Sequence, residues 1–588
     1  MTVLQTEWLL TRTFFGRFFE SDLLPPGLPQ VQLLIWGIAF LTAPGYLLSF
    51  VFAINYGAVP RAQLPDVVLG HQLLFVMFGM VALGAVALII WEGVFPDRRD
   101  VRILGVLPLS SRTHVVARIG ALGAVAGLFC IGVNLPSALI YGLTLWAHDV
   151  AAGALRAMAA HLIALSLGGV FTFFLLIVVQ GIILTVFGRR TARRLAFLVQ
   201  LLFVTVLLQA ALFVPALGER VQAAFHGRSD TMVEFLPAAW FLALYSAMAG
   251  TSRPGPSGYA LTAVGATAVT VILATALMAA SYTRLARMAL ETAERHTPTR
   301  SRTLRRMSSA VASLVVRSPI EHAVSGFTLA TLSRSRTHLT LLATYVGVGA
   351  ALVLSALLPL IGKGGTGALA APTATVLSVP LVLYFVVLGG LRVLVAIPTD
   401  IKANWAFRLY APDDRLVETI SGVRTAFVMS TVAPIAVAAG IVGVLLWGGR
   451  TGLMHGLFTG AAGLLLVDVL LLGLRKIPFT CTYYPGRSRA RTMWPFYGLA
   501  FSVYAYSLAA LEATLLDRPR LFIVVVAVVT VLVAGFAQLR RQNLHGPPGL
   551  TFEEQDPDGI FRGFQLSEGV AAERPGAHRS SPANVDQI

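Results

Sequence analysis

The sequence predicts an all-α fold: a polytopic membrane protein of about twelve transmembrane helices, both termini inside, built from two parallel six-helix repeats with interfacial helices ahead of each. Three observations predict it. Apolar runs of about twenty residues, the length a helix needs to cross a hydrocarbon core of roughly 30 Å, recur along most of the 588 residues. Most of the 45 Lys and Arg fall in alternate gaps between those runs, which fixes the side each gap faces. The chain is 56% hydrophobic and only 12% charged, with mean hydropathy +0.76, where a soluble domain is about one quarter charged.

The runs place spans near 31–54, 69–91, 115–146, 157–187, 195–217, 258–283, 338–361, 375–398, 425–447, 453–474, 494–516 and 521–538. With the N-terminus inside, Asp97 to Arg112, Gly188 to Arg194, Arg284 to Arg336, Lys402 to Arg424, Arg475 to Arg491 and the Arg540-Arg541 pair all face the cytoplasm. Trp36, Trp91, Trp146 and Trp494 flank spans as interfacial aromatics do. The net charge of +17 is therefore an orientation device, and nucleic acid is not an expected partner. Lys363, Lys402 and Lys476 are the only lysines, an Arg bias that hints at a high-GC bacterial genome. Cys130 in a span and Cys481 in an inward loop cannot pair, so no disulfide is expected.

Five segments follow. Residues 1–30 form an interfacial amphipathic helix, with Leu4, Trp8, Phe15, Phe18 and Phe19 on its apolar face and Thr6, Thr13, Arg17 and Glu20 opposite. Residues 31–283 are the first six-helix half, 284–337 a basic linker with a second pre-span helix, 338–538 the second half, and 539–588 a cytoplasmic tail, largely disordered from Leu544. The halves echo each other. Spans two and eight both end at a proline followed by charges, Pro96-Asp-Arg-Arg-Asp100 and Pro398-Thr-Asp-Ile-Lys402, and an Arg enters each following span, Arg118 and Arg424. They differ outside, where Met232 to Tyr245 is apolar but too short and too broken by Pro237 to cross. It reads as helices dipping into the outer leaflet.

Motifs exclude more than they assign. No Gly-x-x-x-x-Gly-Lys-Ser/Thr loop is present, and Gly362 to Gly367 has the wrong spacing on the outer side. Without His-Glu-x-x-His, Cys-x-x-Cys or Gly-x-Ser-x-Gly, no metal, cofactor or catalytic nucleophile is expected in this chain. Asp468, inside the tenth span, is the clearest intramembrane acid. It reads either as an ion pair with Arg475 near the interface or as a proton or cation carrier. His161 and Glu512 read as solvated near the outer surface, and Asn134, Gln180 and Gln209 as interhelical hydrogen-bond partners.

The inward loop from Trp91 to Thr113 resembles the loop after the second span of ABC-2 type exporter permeases. It carries Arg99-Asp100, Leu104, Leu107-Pro108, Ser110-Ser111 and Arg112 where that group has an Arg-Asp pair, leucines and Leu-Pro-hydroxyl-Ser-Arg. Leu236-Pro237 to Trp240 is similar to that family's outer element, and the match covers about residues 1–283. The resemblance implies a transport subunit of the bacterial cytoplasmic membrane, itself no enzyme. It exports substrate with ATP-Mg bound and hydrolysed by a separate ATPase pair, in contact with membrane lipids. It implies an ATPase-docking helix in which Leu104, Leu107 and Pro108 fill a groove and Asp97, Arg98, Arg99, Asp100 and Arg112 pair at its rim. The second half departs from the pattern. There Asp400, Asn404, Arg408, Asp413, Asp414 and Arg415 take the corresponding place, and Phe479-Thr-Cys-Thr-Tyr-Tyr-Pro-Gly486 is similar to a subset of large permeases of this kind. Two other readings stay open: an ion-coupled transporter or lipid flippase with Asp468 as carrier, and an integral-membrane transferase, for which no Asp, Glu or His cluster is evident. The mostly Leu, Val, Ala and Phe spans favour an amphipathic or lipid-like cargo.

Overall fold

A computed structural model describes residues 3–19, 30–95, 109–228, 230–251, 255–291, 318–399, 416–474, 477–480 and 490–545. Among them there is no strand, and eleven helices are long and apolar enough to cross a membrane, or twelve if one bent pair counts as a span. The protein is an all-α, multi-pass membrane protein.

In the first half, α1 (Val3–Phe18) precedes α2 (Gln30–Asn55), α3 (Leu64–Ile89), α4 (Ser111–Ala147) and the long α5 (Ala154–Leu212). α5 has 59 residues, about 88 Å if straight, far more than a bilayer needs. Contacts show that it folds back on itself. Thr172 and Leu207 both lie against Gly84 of α3. Gln180 donates to the Trp91 carbonyl (2.9 Å), while Phe203 lies against the Trp91 ring. The turn falls where the sequence places Gly188 to Arg194, so those residues are helical rather than a loop, yet they still join two antiparallel arms. The second arm ends at a 66° bend into α6 (Val214–Phe225), where the sequence expected an uninterrupted span to 217. After α7 (Pro237–Ala249), α8 (Tyr259–Glu291) makes the sixth crossing.

The second half runs through α9 (Pro319–Arg334), α10 (Arg336–Gly364), α11 (Ala374–Leu394), α12 (Leu416–Phe427), α13 (Ala433–Trp447) and α14 (Gly449–Leu471). It ends with α15 (Ala490–Ser502), α16 (Leu508–Leu515) and α17 (Pro519–His545). π-turns at Val428–Val432 and Val503–Ser507 join α12 to α13 and α15 to α16. The first precedes Pro434, which has no N–H to continue the ladder. There the Tyr384 hydroxyl donates to the Val432 carbonyl (2.7 Å).

The antiparallel hairpin of α13 and α14 depends on glycine. A Cβ on Gly452 would sit 2.1 Å from the Val444 nitrogen, and one on Gly456 2.9 Å from the Gly440 Cα. Without side chains there, the backbones meet directly, as small residues allow in membranes. The halves join where the second arm of α5 packs on α10: Val204 lies against Gly347, Thr205 donates to the Gly347 carbonyl (3.3 Å), and Gln209 reaches the Ala351 carbonyl and Ser355.

The pre-span helices of the two halves pack alike. In each half the pre-span helix docks on the start of the third span. Leu10 and Phe14 of α1 are buried with Ala117 and Ala121 of α4, and Thr11 lies against Gly120. Likewise Val324 of α9 lies against Gly422 of α12, Thr425 donates to Glu321 (2.6 Å) and Ser318 to Glu418 (2.6 Å). Leu10, Phe14 and Phe18 of α1 meet protein, while Trp8 is 63% exposed.

Candidate functional site

The expected coupling segments lie largely outside the described residues. Asp97, Arg98, Arg99, Asp100, Leu104, Leu107 and Pro108 do, as do Asp400, Asn404, Arg408, Asp413, Asp414 and Arg415. Their anchor points are described. On the first-half side, Arg118 of α4 reaches back to the end of the preceding span: its Nε donates to the Val94 carbonyl (2.9 Å) and its Nη2 to those of Gly93 (2.6 Å) and Phe95 (3.4 Å). The guanidinium also lies over the Phe14 ring of α1. On the other side, Ser110 is the N-cap of α4, its Oγ accepting from the Thr113 N–H (3.1 Å), which is what a hydroxyl residue does at a helix start. Arg112 lies exposed in that first turn. Residues 96–108 thus leave and re-enter between two braced ends on the Arg-rich face.

The second-half anchor is built differently. Phe479, buried and at φ 63°, donates its N–H to the Val395 carbonyl (2.9 Å) and accepts from the Thr399 N–H (3.2 Å). Its ring packs on Phe327 of α9 and His338 of α10. The distinctive Phe479-Thr480 therefore pins the exit of α11 to the pre-span helix. Arg392 donates to the Leu470 carbonyl (3.0 Å), satisfying the end of α14.

Leu236, Pro237 and Trp240 fall at the start of a short apolar helix, α7, which is below the length needed to cross a membrane. Leu236 is extended, Pro237 occupies the first turn of α7, and Trp240 Nε1 donates to the Glu234 carbonyl (2.7 Å). Trp240 meets Phe171, Tyr245 meets His161, and Arg156 donates to the Met248 carbonyl (2.5 Å). Trp240 lies beside Phe171 and Met248 beside Arg156, eight residues or about 12 Å apart along α7. Gly250, at φ 68°, terminates it beneath the Arg156 guanidinium.

Under α7 lies a polar network that sequence reading missed. The Tyr56 hydroxyl is 2.8 Å from His71 Nδ1 and 2.6 Å from the Tyr141 hydroxyl. The Tyr245 hydroxyl is 2.9 Å from His161 Nδ1, whose Nε2 is 3.1 Å from Ser137 Oγ. His161 is fully buried rather than solvated, because α7 covers it. Burying so many polar groups is costly unless they bond one another, and here they do. The available signal was their common depth: each lies in the outer third of its element. Glu512 was also expected in solvent. It is fully buried instead and bonds His455 Nδ1 (2.7 Å), because α14 and α16 meet there.

Asp468 is buried completely and bonded by two arginines from neighbouring helices; Arg475, the partner expected from sequence, lies outside the described residues. Arg424 donates from Nε and Nη2 to the two carboxylate oxygens (2.8 and 2.9 Å), a bidentate fork, and Arg540 Nη1 donates to Oδ1. Arg540, within the last two turns of α17, is only 4% exposed. Among the described residues no group of three or more His, Cys, Asp or Glu could hold a metal ion. No protein-family model, curated protein or solved structure matches the chain.

Proposed function

We propose that this chain is the transmembrane permease of an ABC-type exporter in a bacterial cytoplasmic membrane, moving an amphipathic or lipid-like substrate. A separate pair of nucleotide-binding subunits supplies the ATP hydrolysis, and the chain performs no catalysis. One observation carries the reading: the segment 96–108, which resembles the ABC-2 coupling loop, departs from a mouth braced on both sides. Arg118 fixes one end, the Ser110 cap the other, and α1 wedges against both. A loop that transmits force from a soluble ATPase needs rigid ends, since a slack one would absorb the stroke. The helix α7, dipping from the opposite face just before the sixth crossing, accords with the same resemblance.

The ion-coupled alternative fares less well. Asp468 holds three donated hydrogen bonds from two arginines, which suits a brace between α12, α14 and α17 better than a carrier that must load and unload. The test is Leu107→Asp. It should abolish the chain's stimulation of its partner ATPase while insertion and folding stay intact, because a carboxylate cannot enter an apolar groove. Unchanged stimulation would remove the assignment.

A further inference from the structure

Among the described residues, the brace around Asp468 carries more positive charge than it balances. Two guanidinium groups face one carboxylate, leaving one positive charge in a buried place. Arg540 is 4% exposed, Asp468 fully buried, and the Arg424 side chain 26% exposed. Among the described residues, the other charges close to Arg540 besides Asp468 are Arg424 and Arg541, which add to the excess. The carboxylates of the adjoining helices are engaged elsewhere: Glu321 accepts from Thr425 and Glu418 from Ser318. Arg540 Nε is buried with no partner among the described residues. An uncompensated charge and an unmade hydrogen bond are both expensive inside a membrane protein. The position narrows what relieves them. Asp468 lies three residues before the end of α14, about 4.5 Å from it, and Arg540 near the end of α17, on the Arg-rich face. The charge pattern of the sequence sets that face at the inner membrane interface, where lipid headgroups lie.

We propose that Arg424 and Arg540, held apart and aimed by Asp468, form a binding site for a phosphate oxyanion, supplied by the headgroup of an anionic lipid in the inner leaflet. Arginine's planar fork suits phosphate oxygens, and the inner leaflet offers them at high density. The partly exposed Arg424 gives lateral access, and the unpartnered Nε of Arg540 is the donor that the phosphate completes. Asp468 acts as a positioning residue: it fixes two flexible cations in one geometry without neutralising both. The site is independent of how transport is energised.

The experiment uses the full chain in mixed micelles, with native mass spectrometry for retained lipid and the thermal unfolding midpoint as readouts. Phosphatidylglycerol should be retained and should raise the midpoint, whereas phosphatidylcholine should do neither. Arg540→Gln, losing one charge-assisted bond, should weaken phosphatidylglycerol binding roughly tenfold or more. If that variant does not fold, Arg424→Lys answers the same question by keeping the charge and losing the fork: retention should fall several-fold, and unchanged retention would count against the site. Inorganic phosphate that reproduced the stabilisation would keep the anion site but overturn the lipid as its source. Indifference of the wild type to both anions, or an Arg540→Gln variant binding as the wild type does, would overturn the proposal and place the balancing charge within the chain.

Discussion

Replacing Arg118 by leucine should loosen the mouth from which segment 96–108 departs without disturbing the bundle. The substitution preserves an apolar stem beside Phe14 and removes the guanidinium that holds the Gly93, Val94 and Phe95 carbonyls. Two of those bonds, at 2.6 and 2.9 Å, are well formed, and the third, at 3.4 Å, is weak. A hydrogen bond to a charged group contributes about 1.5–3 kcal/mol, so the gross loss is about 3–6 kcal/mol. Water near the interface will satisfy some of the freed carbonyls, which brings the net cost to about 3 kcal/mol. Local opening should then become on the order of a hundredfold more frequent. Hydrogen exchange read by mass spectrometry checks this directly: the amides of Ile90 and Gly93, bonded to the carbonyls of Val86 and Ile90, should lose protection by about that factor. Amides in α13 and α14 should not change. Arg118→Lys, which reaches one carbonyl but cannot fork, should fall between. Wild-type protection at 90–93 in Arg118→Leu would refute the idea that this side chain braces the loop.

Two further substitutions probe the packing. Gly452→Leu should drive α13 from α14, because even a Cβ there would lie 2.1 Å from the Val444 nitrogen; the yield of monodisperse protein by size-exclusion chromatography should collapse, and a normal yield would contradict the close approach. Tyr245→Phe keeps the ring but strands His161 Nδ1, so the unfolding midpoint should drop by the equivalent of about 1–3 kcal/mol, whereas an unchanged midpoint would show that the buried network contributes nothing there.

How much of this was legible follows from where each signal lives. Spans are written locally: an apolar run of sufficient length and the charge at its ends belong to one stretch of chain, so the crossings from α2 to α17 could be read without partners. The short apolar α7 was readable for the same reason, since thirteen residues starting at Pro237 are too few to cross. The fold-back of α5 was anticipated as a loop because Arg189, Arg190, Arg193 and Arg194 mark a turn at the Arg-rich face; that the helix persists through them is a backbone choice that charge does not specify. Burial of particular polar residues was not readable. His161 and Glu512 sit near predicted span ends, and only the arrival of Tyr245 and His455 from distant helices removes them from solvent. For Asp468 the sequence offered only Arg475, near in the chain and outside the described residues, whereas Arg424 and Arg540 arrive from neighbouring helices at the same depth. The resemblance carried by Leu107-Pro108 to Arg112 pointed to a loop, while the structure explains why its ends are written as they are, with Ser110 as a cap and Arg118 as a clasp.

The most direct test is the mass of the native complex released from its own membranes in mild detergent. The account predicts this chain together with two copies of an ATP-hydrolysing subunit, dissociating in Leu107→Asp. A chain that emerges without such a companion, and that in liposomes moves its substrate on an ion gradient alone, would contradict it.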